Sequence, residues 1–278
     1  MPEIHPEIGQ EIASILIKSY TEGDIFGHTP QMPEDELPEG VVRGSREHLL
    51  FLTLTVSIDY MRDADQLWDA ARATFNDPET RFLFFPEEVV QKDFQMIINA
   101  GQNYNLFKRP SKDAERWIKI CKTLHDYYQN SPLNFIEDCN FDALCIQNRL
   151  RNYAALFPGL SGNKISPLWL RVVWKIGGIR LTNLKKISIP VDAHIRRATI
   201  KTQVITNYED IPKNKLDLLD YYVRLAWDLS LQNTEIMPLE IDKPLWHLSK
   251  YGCSKAQKSC LNFDKCPVNH YCIHRQDV

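Results

Sequence analysis

Residues 158–197 read PGLSGNKISPLWLRVVWKIGGIRLTNLKKISIPVDAHIRR, and this stretch holds the chain's chemistry. Its first part, Pro158-Gly159-Leu160-Ser161-Gly162-Asn163, is a glycine-containing hairpin placed to join two helices. Such a hairpin offers main-chain N–H groups at a helix N-terminus, an arrangement that suits a phosphate. Lys164 follows in the first turn of a helix predicted over Ile165–Ile176 and ended by Gly177-Gly178. The positive end of the helix dipole disfavours an ammonium there, the direction a nucleophilic amine needs. A lone lysine is more often a solvated surface residue. Further on, Pro190-Val191-Asp192-Ala193-His194 places Asp192 where a helix should start, and an aspartate there ordinarily caps it.

Four of the seven cysteines crowd the chain's end as Cys253-x6-Cys260-x5-Cys266-x5-Cys272. Four thiolates at such spacing can hold a tetrahedral Zn²⁺ or a [4Fe–4S] cluster, because short loops close cheaply around a metal. The six-residue first loop is longer than the usual zinc pair, which favours iron–sulfur. Two disulfides in a secreted tail are the alternative. Cys121, Cys139 and Cys145 lie far upstream and read as small buried hydrophobes.

Outward from these two segments the pattern is helical nearly throughout, and the expected fold is all-α. Apolar residues recur at helical spacing over 7–20, after which a proline-rich acidic loop follows at 28–40. Ser45 is expected to cap a helix running to about residue 75, Pro86 to open one ending at Gly101, and Ser111 to cap the next. Asn140 or Asp142 starts another, and further helices begin at Asp192, near Lys213 and near Asp242. The β-branched runs Thr53–Val56 and Ile187–Ile189 are the weak points of an all-helical reading. The chain of 278 residues, 44% hydrophobic and 25% charged, has an ordinary globular composition. No run approaches the roughly 20 apolar residues of a spanning helix, and the N-terminus does not read as a signal peptide. A cytoplasmic (nucleoid) or nuclear protein is expected, neither secreted nor membrane-bound. A net charge of −3 is not the balance of a DNA-coating protein, so any nucleic-acid face must be local.

Taken together these residues resemble a helix-hairpin-helix DNA glycosylase of the endonuclease III type. That family has a hairpin ending in lysine, a helix, a Pro-Val-Asp-x-His segment and a C-terminal four-cysteine iron–sulfur loop. The counterparts are Gly162-Asn163-Lys164, Pro190–His194 and Cys253–Cys272. Leu245–Gly252 resembles the family's approach to its cluster, Ile98–Gly101 with Lys112–Ala114 another of its segments, and Leu49–Ser57 its first barrel helix. The similarity covers residues 45–275 in order. It departs at Leu160, where the family's hairpin usually has glycine, and in an insertion at Ile179–Ile189. It departs also in the five residues between Cys260 and Cys266. Where the family often has a glutamine that fills the hole left by an extruded base, this chain has Ser57-Ile58-Asp59-Tyr60-Met61.

The resemblance implies two helical lobes, a six-helix barrel over 45–170 and a second lobe of 1–44 with 171–278 that carries the cluster, with the active site in a cleft between them. It implies Lys164 as nucleophile and Asp192 as the carboxylate facing C1′. It implies Cys253, Cys260, Cys266 and Cys272 as ligands of a [4Fe–4S] cluster, with Zn²⁺ as the alternative. Gly159, Ser161, Gly162, Asn163, His194, Arg196 and Lys255 would meet DNA, helped by Lys185, Lys186, Arg197 and Lys201 and by Lys258 and Lys265 of the cluster loop. These cations read equally as solvated surface. Asp59, Tyr60 and Trp169 are candidates for the base pocket or wedge, with Phe51 and Met61 beside them, although tryptophans at helical spacing more often belong to a core. The implied activity is excision of a damaged base from double-stranded DNA by a monomer, with strand scission through a lysine Schiff base. The competing readings are a non-catalytic damage-binding protein on the same fold and a zinc-stabilised helical interaction module.

Overall fold

The computed structural model describes residues 1–23, 25–26, 31–212, 214–253, 260 and 262–273. The α-helices are, in chain order, α1 (Pro6–Thr21), α2 (Arg46–Ser57), α3 (Ala64–Asn76), α4 (Pro86–Val89), α5 (Phe94–Asn103), α6 (Pro110–Tyr127), α7 (Pro132–Glu137), α8 (Ala143–Asn152), α9 (Ile165–Arg171), α10 (Ala193–Lys201), α11 (Leu216–Leu231) and α12 (Asp242–Tyr251). Two short strands, β1 (Glu3–Ile4) and β2 (Ile205–Thr206), pair antiparallel with Glu3 opposite Thr206 and Ile4 opposite Ile205. The expected all-α fold is therefore mostly helical with one small ladder. No helix among the described residues is long and apolar enough to cross a membrane.

The chain forms two compact units, a central one of Met32–Leu184 and a terminal one of Met1–Gln31 with Lys185–Val278. These bounds differ from the expected 45–170 division, and the central unit takes both flanking segments. The reason is a buried ion pair from Arg171 Nη2 to Glu34 Oε1, together with Arg43 donating to the Ile176 carbonyl at 3.3 Å. A buried charge is tolerated only beside its partner, so Glu34 and Arg171 cannot be parted without large cost.

In the central unit, α2 is buried on every face from His48 to Ser57. Its sequence, HLLFLTLTVS, is apolar all round, which is the pattern of a helix enclosed by others. Each buried leucine or phenylalanine there contributes about 1.5–3 kcal/mol. Phe51 meets Phe75, Phe84 and Trp68 with ring centroids 5.6–5.8 Å apart, and Phe84 meets Trp117 at 5.2 Å. The β-branched run Thr53–Val56 remains helical because burial outweighs its strand preference, and Thr53 Oγ1 also accepts the Trp169 indole N–H at 3.0 Å.

Several predicted helices are broken by local capping chemistry. The expected helix from Ser45 to about 75 is α2 and α3, since Asp63 accepts the Gln66 N–H and starts a new helix. Likewise Asp93 caps α5, separating it from α4. Ser111 is not a cap: α6 begins at Pro110, and the Asp113 carboxylate folds back to the Arg109 N–H at 2.8 Å. The helix expected over Ile165–Ile176 is α9 followed by a π-helical turn, Val172–Ile176, and Gly178 at φ +75° leads the chain away. Asp142 rather than Asn140 caps α8, and α7 was not expected from the sequence. The start expected near Lys213 falls on a residue outside the described ones, and α11 begins at Leu216.

In the terminal unit α1 lies along α11 so closely that a Cβ on Gly9 would stand 2.1 Å from Ser230 Oγ. Its core includes Ile12, Leu16, Ile195, Val223 and Leu248. Trp227 sits in the same core and donates to Thr199 Oγ1 at 2.9 Å. Ile187–Ile189 is not helical, consistent with its β-branched content.

His48 is 1% exposed, and its Nδ1 accepts the Gly44 N–H at 2.9 Å. Burial, with the Arg43 guanidinium second, pulls its pKa down from 6.5 to about 4. The imidazole is thus neutral in the fold at pH values where the unfolded chain binds a proton. Stability is complete above pH 6.5 and is lost as the pH falls towards 4, by at most about 3 kcal/mol. Urea denaturation over this window should show a loss that His48→Gln lacks; an equal loss in both proteins would discount His48 as its source.

Candidate active site and thiol cluster

The hairpin is seated on the C-terminal end of α2. Gly159 has φ +86°, and a Cβ there would lie 2.2 Å from the Ser57 carbonyl oxygen. Only glycine satisfies both the left-handed backbone and this approach. Leu160, at the position where a second glycine was expected, is buried and anchors the turn. Gly162 and Asn163 are exposed, and Ser161 is half-buried. Asn163 Oδ1 accepts from Arg151 Nη2 at 3.3 Å, and the Gly162 carbonyl accepts the Ser166 N–H at 2.9 Å, closing the first turn of α9.

Lys164 stands at the N-cap position of α9, where its side chain makes no capping bond. Its Nζ donates to Asp59 Oδ2 at 2.9 Å, with the lysine side chain 35% and the aspartate 14% exposed. The dipole, expected to disfavour the ammonium, is thus joined by a carboxylate in contact with the amine. A carboxylate at contact distance favours the ammonium, whereas the end of a seven-residue helix opposes it. Asp59 is likewise no protruding wedge: its carboxylate is turned onto the lysine.

The exposed residues of this turn are the next two. Tyr60 is 53% and Met61 78% exposed, and Met61 has φ +52°. Cations that sequence reading passed over surround them. The Arg109 guanidinium lies 4.7 Å from the Tyr60 ring centroid, and Lys108 donates to the Met61 carbonyl at 2.8 Å. Arg62 donates to the carbonyls of Asn105 and Leu106. Burial lowers the Arg62 pKa, opposed by Asp113 and Asp59. A cavity of about 360 Å³ opens beside them, lined by Arg62, Gln66, Gln102, Asn105, Phe107 and Lys108. The signal was present in Arg62 and Lys108-Arg109, but their closeness is a tertiary fact.

Trp169, expected as a pocket wall, is instead buried core at 1% exposure beside Thr53 and Phe135. Phe51 is enclosed as well.

In the terminal unit Asp192 caps α10, its Oδ1 accepting the N–H groups of His194 at 2.7 Å and Ile195 at 2.9 Å. Oδ2 belongs to the same half-buried carboxylate. The His194 ring lies 5.3 Å from Trp246. Arg196, expected on DNA, is committed to Asp220 at 2.7 Å, and burial raises the Asp220 pKa despite that cation. Arg197 donates to Ser249 Oγ at 3.0 Å, and Lys185 to the Thr234 carbonyl. Lys265 is exposed, whereas Lys255 and Lys258 lie outside the described residues.

The four C-terminal thiols perturb one another. Burial first, then Cys266, Cys272 and Cys260, push the Cys253 thiol up to about 12. Burial pushes Cys266 to about 12 as well, with Cys272 and Cys260 adding to it against a backbone hydrogen bond. Turns ending at Cys266 and Cys272 are closed by their own N–H groups onto Phe263 and Asn269 carbonyls. Four gathered thiols suit a four-thiolate centre in donor number and chemistry. As placed, no three His, Cys, Asp or Glu side chains among the described residues form a group that could hold a metal ion.

Set against known proteins, the chain matches no protein-family model and no curated sequence.

The seat of the hairpin gives a direct test. Gly159→Ala should destabilise the protein by about 2–4 kcal/mol, because the methyl group meets backbone in a left-handed conformation. A melting temperature equal to wild type would show that the hairpin does not depend on this contact.

Proposed function

We propose that this chain excises a modified base from double-stranded DNA and cleaves the strand, as a glycosylase and lyase of the helix-hairpin-helix type, in two helical lobes. The observation that carries the reading is the Lys164 amine, half-exposed at the start of α9 on a hairpin whose glycine fixes it against α2. The exposed turn Tyr60-Met61, flanked by Lys108 and by Arg109, which also pairs with Asp113, adds a local apolar face with cations beside it to a chain of net charge −3. Phosphate contacts need such a face only locally.

In this reading the target nucleotide leaves the stack at a cost of a few kcal/mol. Asp192 is assigned to the positive charge that builds on the sugar as the glycosidic bond weakens. The Lys164 amine forms the Nζ–C1′ bond as the C1′–base bond breaks, and the base departs with the bonding pair and takes up a proton. The sugar ring then opens, its O4′ taking a proton, to leave an iminium between Nζ and C1′. Loss of a C2′ proton expels the 3′-phosphate. Cys253, Cys260, Cys266 and Cys272 would hold an iron–sulfur cluster that fixes the turns of the C-terminal loop and presents Lys265 to phosphate.

A second reading is favoured by two particular observations, the ion pair on Lys164 and the capping role of Asp192. Both are what a damage-binding protein without catalysis would also have.

Duplexes carrying oxidised, deaminated, alkylated and abasic sites separate the two. Base release supports the enzyme; tight binding without release supports the sensor. Borohydride should trap wild type on abasic duplex and fail to trap Lys164→Gln, and undiminished trapping by the variant would remove Lys164 from the mechanism.

Metal content provides an independent test. The purified protein should be brown and carry about four irons per chain, and Cys253→Ala should lose most of them. A colourless protein containing zinc would overturn the cluster.

A further inference from the structure

Asp59 and Lys164 are separated by 105 residues of chain, yet the structure brings Oδ2 and Nζ to 2.9 Å. Asp59 lies two residues beyond the end of α2, and Lys164 immediately precedes α9. Two fixed elements therefore set the distance: the helix whose last carbonyl abuts Gly159, and the hairpin that ends in the lysine. The Asp59 N–H is held at 3.1 Å by the Val56 carbonyl, which pins its backbone to the final turn of α2. Its carboxylate is mostly screened from water, whereas the lysine stem retains access to solvent.

We infer that Asp59 is a positioning residue for Lys164, orienting the amine by direct hydrogen bond and setting the pH at which it sheds its proton. The inference rests on Lys164 being the nucleophile of the proposed reaction. An ammonium beside a carboxylate is stabilised and cannot attack, and a half-exposed pair is stabilised moderately rather than locked. The contact favours the charged form of Lys164 and holds its nitrogen at the hairpin. A neutral amine forms as the pH rises or as an occupant displaces the carboxylate.

Asp59→Asn keeps the size and one hydrogen-bond acceptor and removes the charge. Single-turnover borohydride trapping on an abasic duplex, followed against pH, should then rise at lower pH than in wild type. Asp59→Glu, which restores a carboxylate, should return the midpoint towards wild type, and Asp59→Ala should lower the maximal rate as well as the midpoint. A purely structural role for Asp59 would change the rate and leave the midpoint where it was.

The same question is answered without DNA by labelling the lysine side chains with ¹³C. The Lys164 Cε resonance, identified by its disappearance in Lys164→Gln, should titrate at lower pH in Asp59→Asn than in wild type. Identical titration curves in the two proteins overturn the inference. Should wild type trap normally and Lys164→Gln fail, with Asp59→Asn unchanged in midpoint, the enzyme stands and this assignment falls. Should wild type not trap at all, the functional reading falls and the role of Asp59 in it falls too. Thermal melts of each variant establish that the comparison is between folded proteins.

Discussion

The close approach of Gly159 to the carbonyl of Ser57 governs the central unit's chemistry. A helix end normally leaves carbonyls that need partners or space. Here that end is met by a residue with no side chain, in a conformation that L side chains rarely adopt. The contact fixes the hairpin against α2, and α2 cannot shift because it is enclosed from His48 to Ser57. Everything after the hairpin inherits this seat: Leu160 buried beneath it, α9 beginning at Ile165, and the lysine between them. Packing at this density has little freedom to relax, so the seat of the hairpin restricts where Lys164 can stand.

Several of the described arginines are paired internally. Arg171 neutralises Glu34 within the core, Arg196 neutralises Asp220, and Arg62 covers two backbone carbonyls. Counting lysines and arginines along α10 therefore overstates the cations available to a polyanion. The turn Ile58–Asp63 is a partial exception, because Arg109 there is paired with Asp113 at 3.0 Å while Lys108 meets only a backbone carbonyl. Its exposed tip is apolar, but Lys108 and Arg109 arrive beside it from the segment preceding α6. A side chain partly occupied by a backbone carbonyl can still exchange that weak contact for a phosphate.

The C-terminal loop presents a different balance. Thiols forced together in partly apolar surroundings hold their protons tightly, as Cys253 and Cys266 do. A cationic metal centre reverses that preference, because coordination requires thiolates and returns the cost of deprotonation as bond energy. The turns ending at Cys266 and Cys272 are closed by their own backbone hydrogen bonds.

Local chemistry was legible from the sequence alone. The apolar periodicity of α1, the Ser45 cap and the Asp192 cap follow from interactions spanning a few residues. Less was legible where two local rules compete: Asp63 and Asp93 broke helices that periodicity alone would continue, and a π turn replaced the last part of the helix after Lys164. What the tertiary structure alone decided is the partner of each side chain. Trp169 became core, Arg196 became an ion pair, and Asp59 turned from the surface to Lys164. Sequence carries propensities that act over one or two turns of chain, whereas a contact across 105 residues depends on every packed element between its ends.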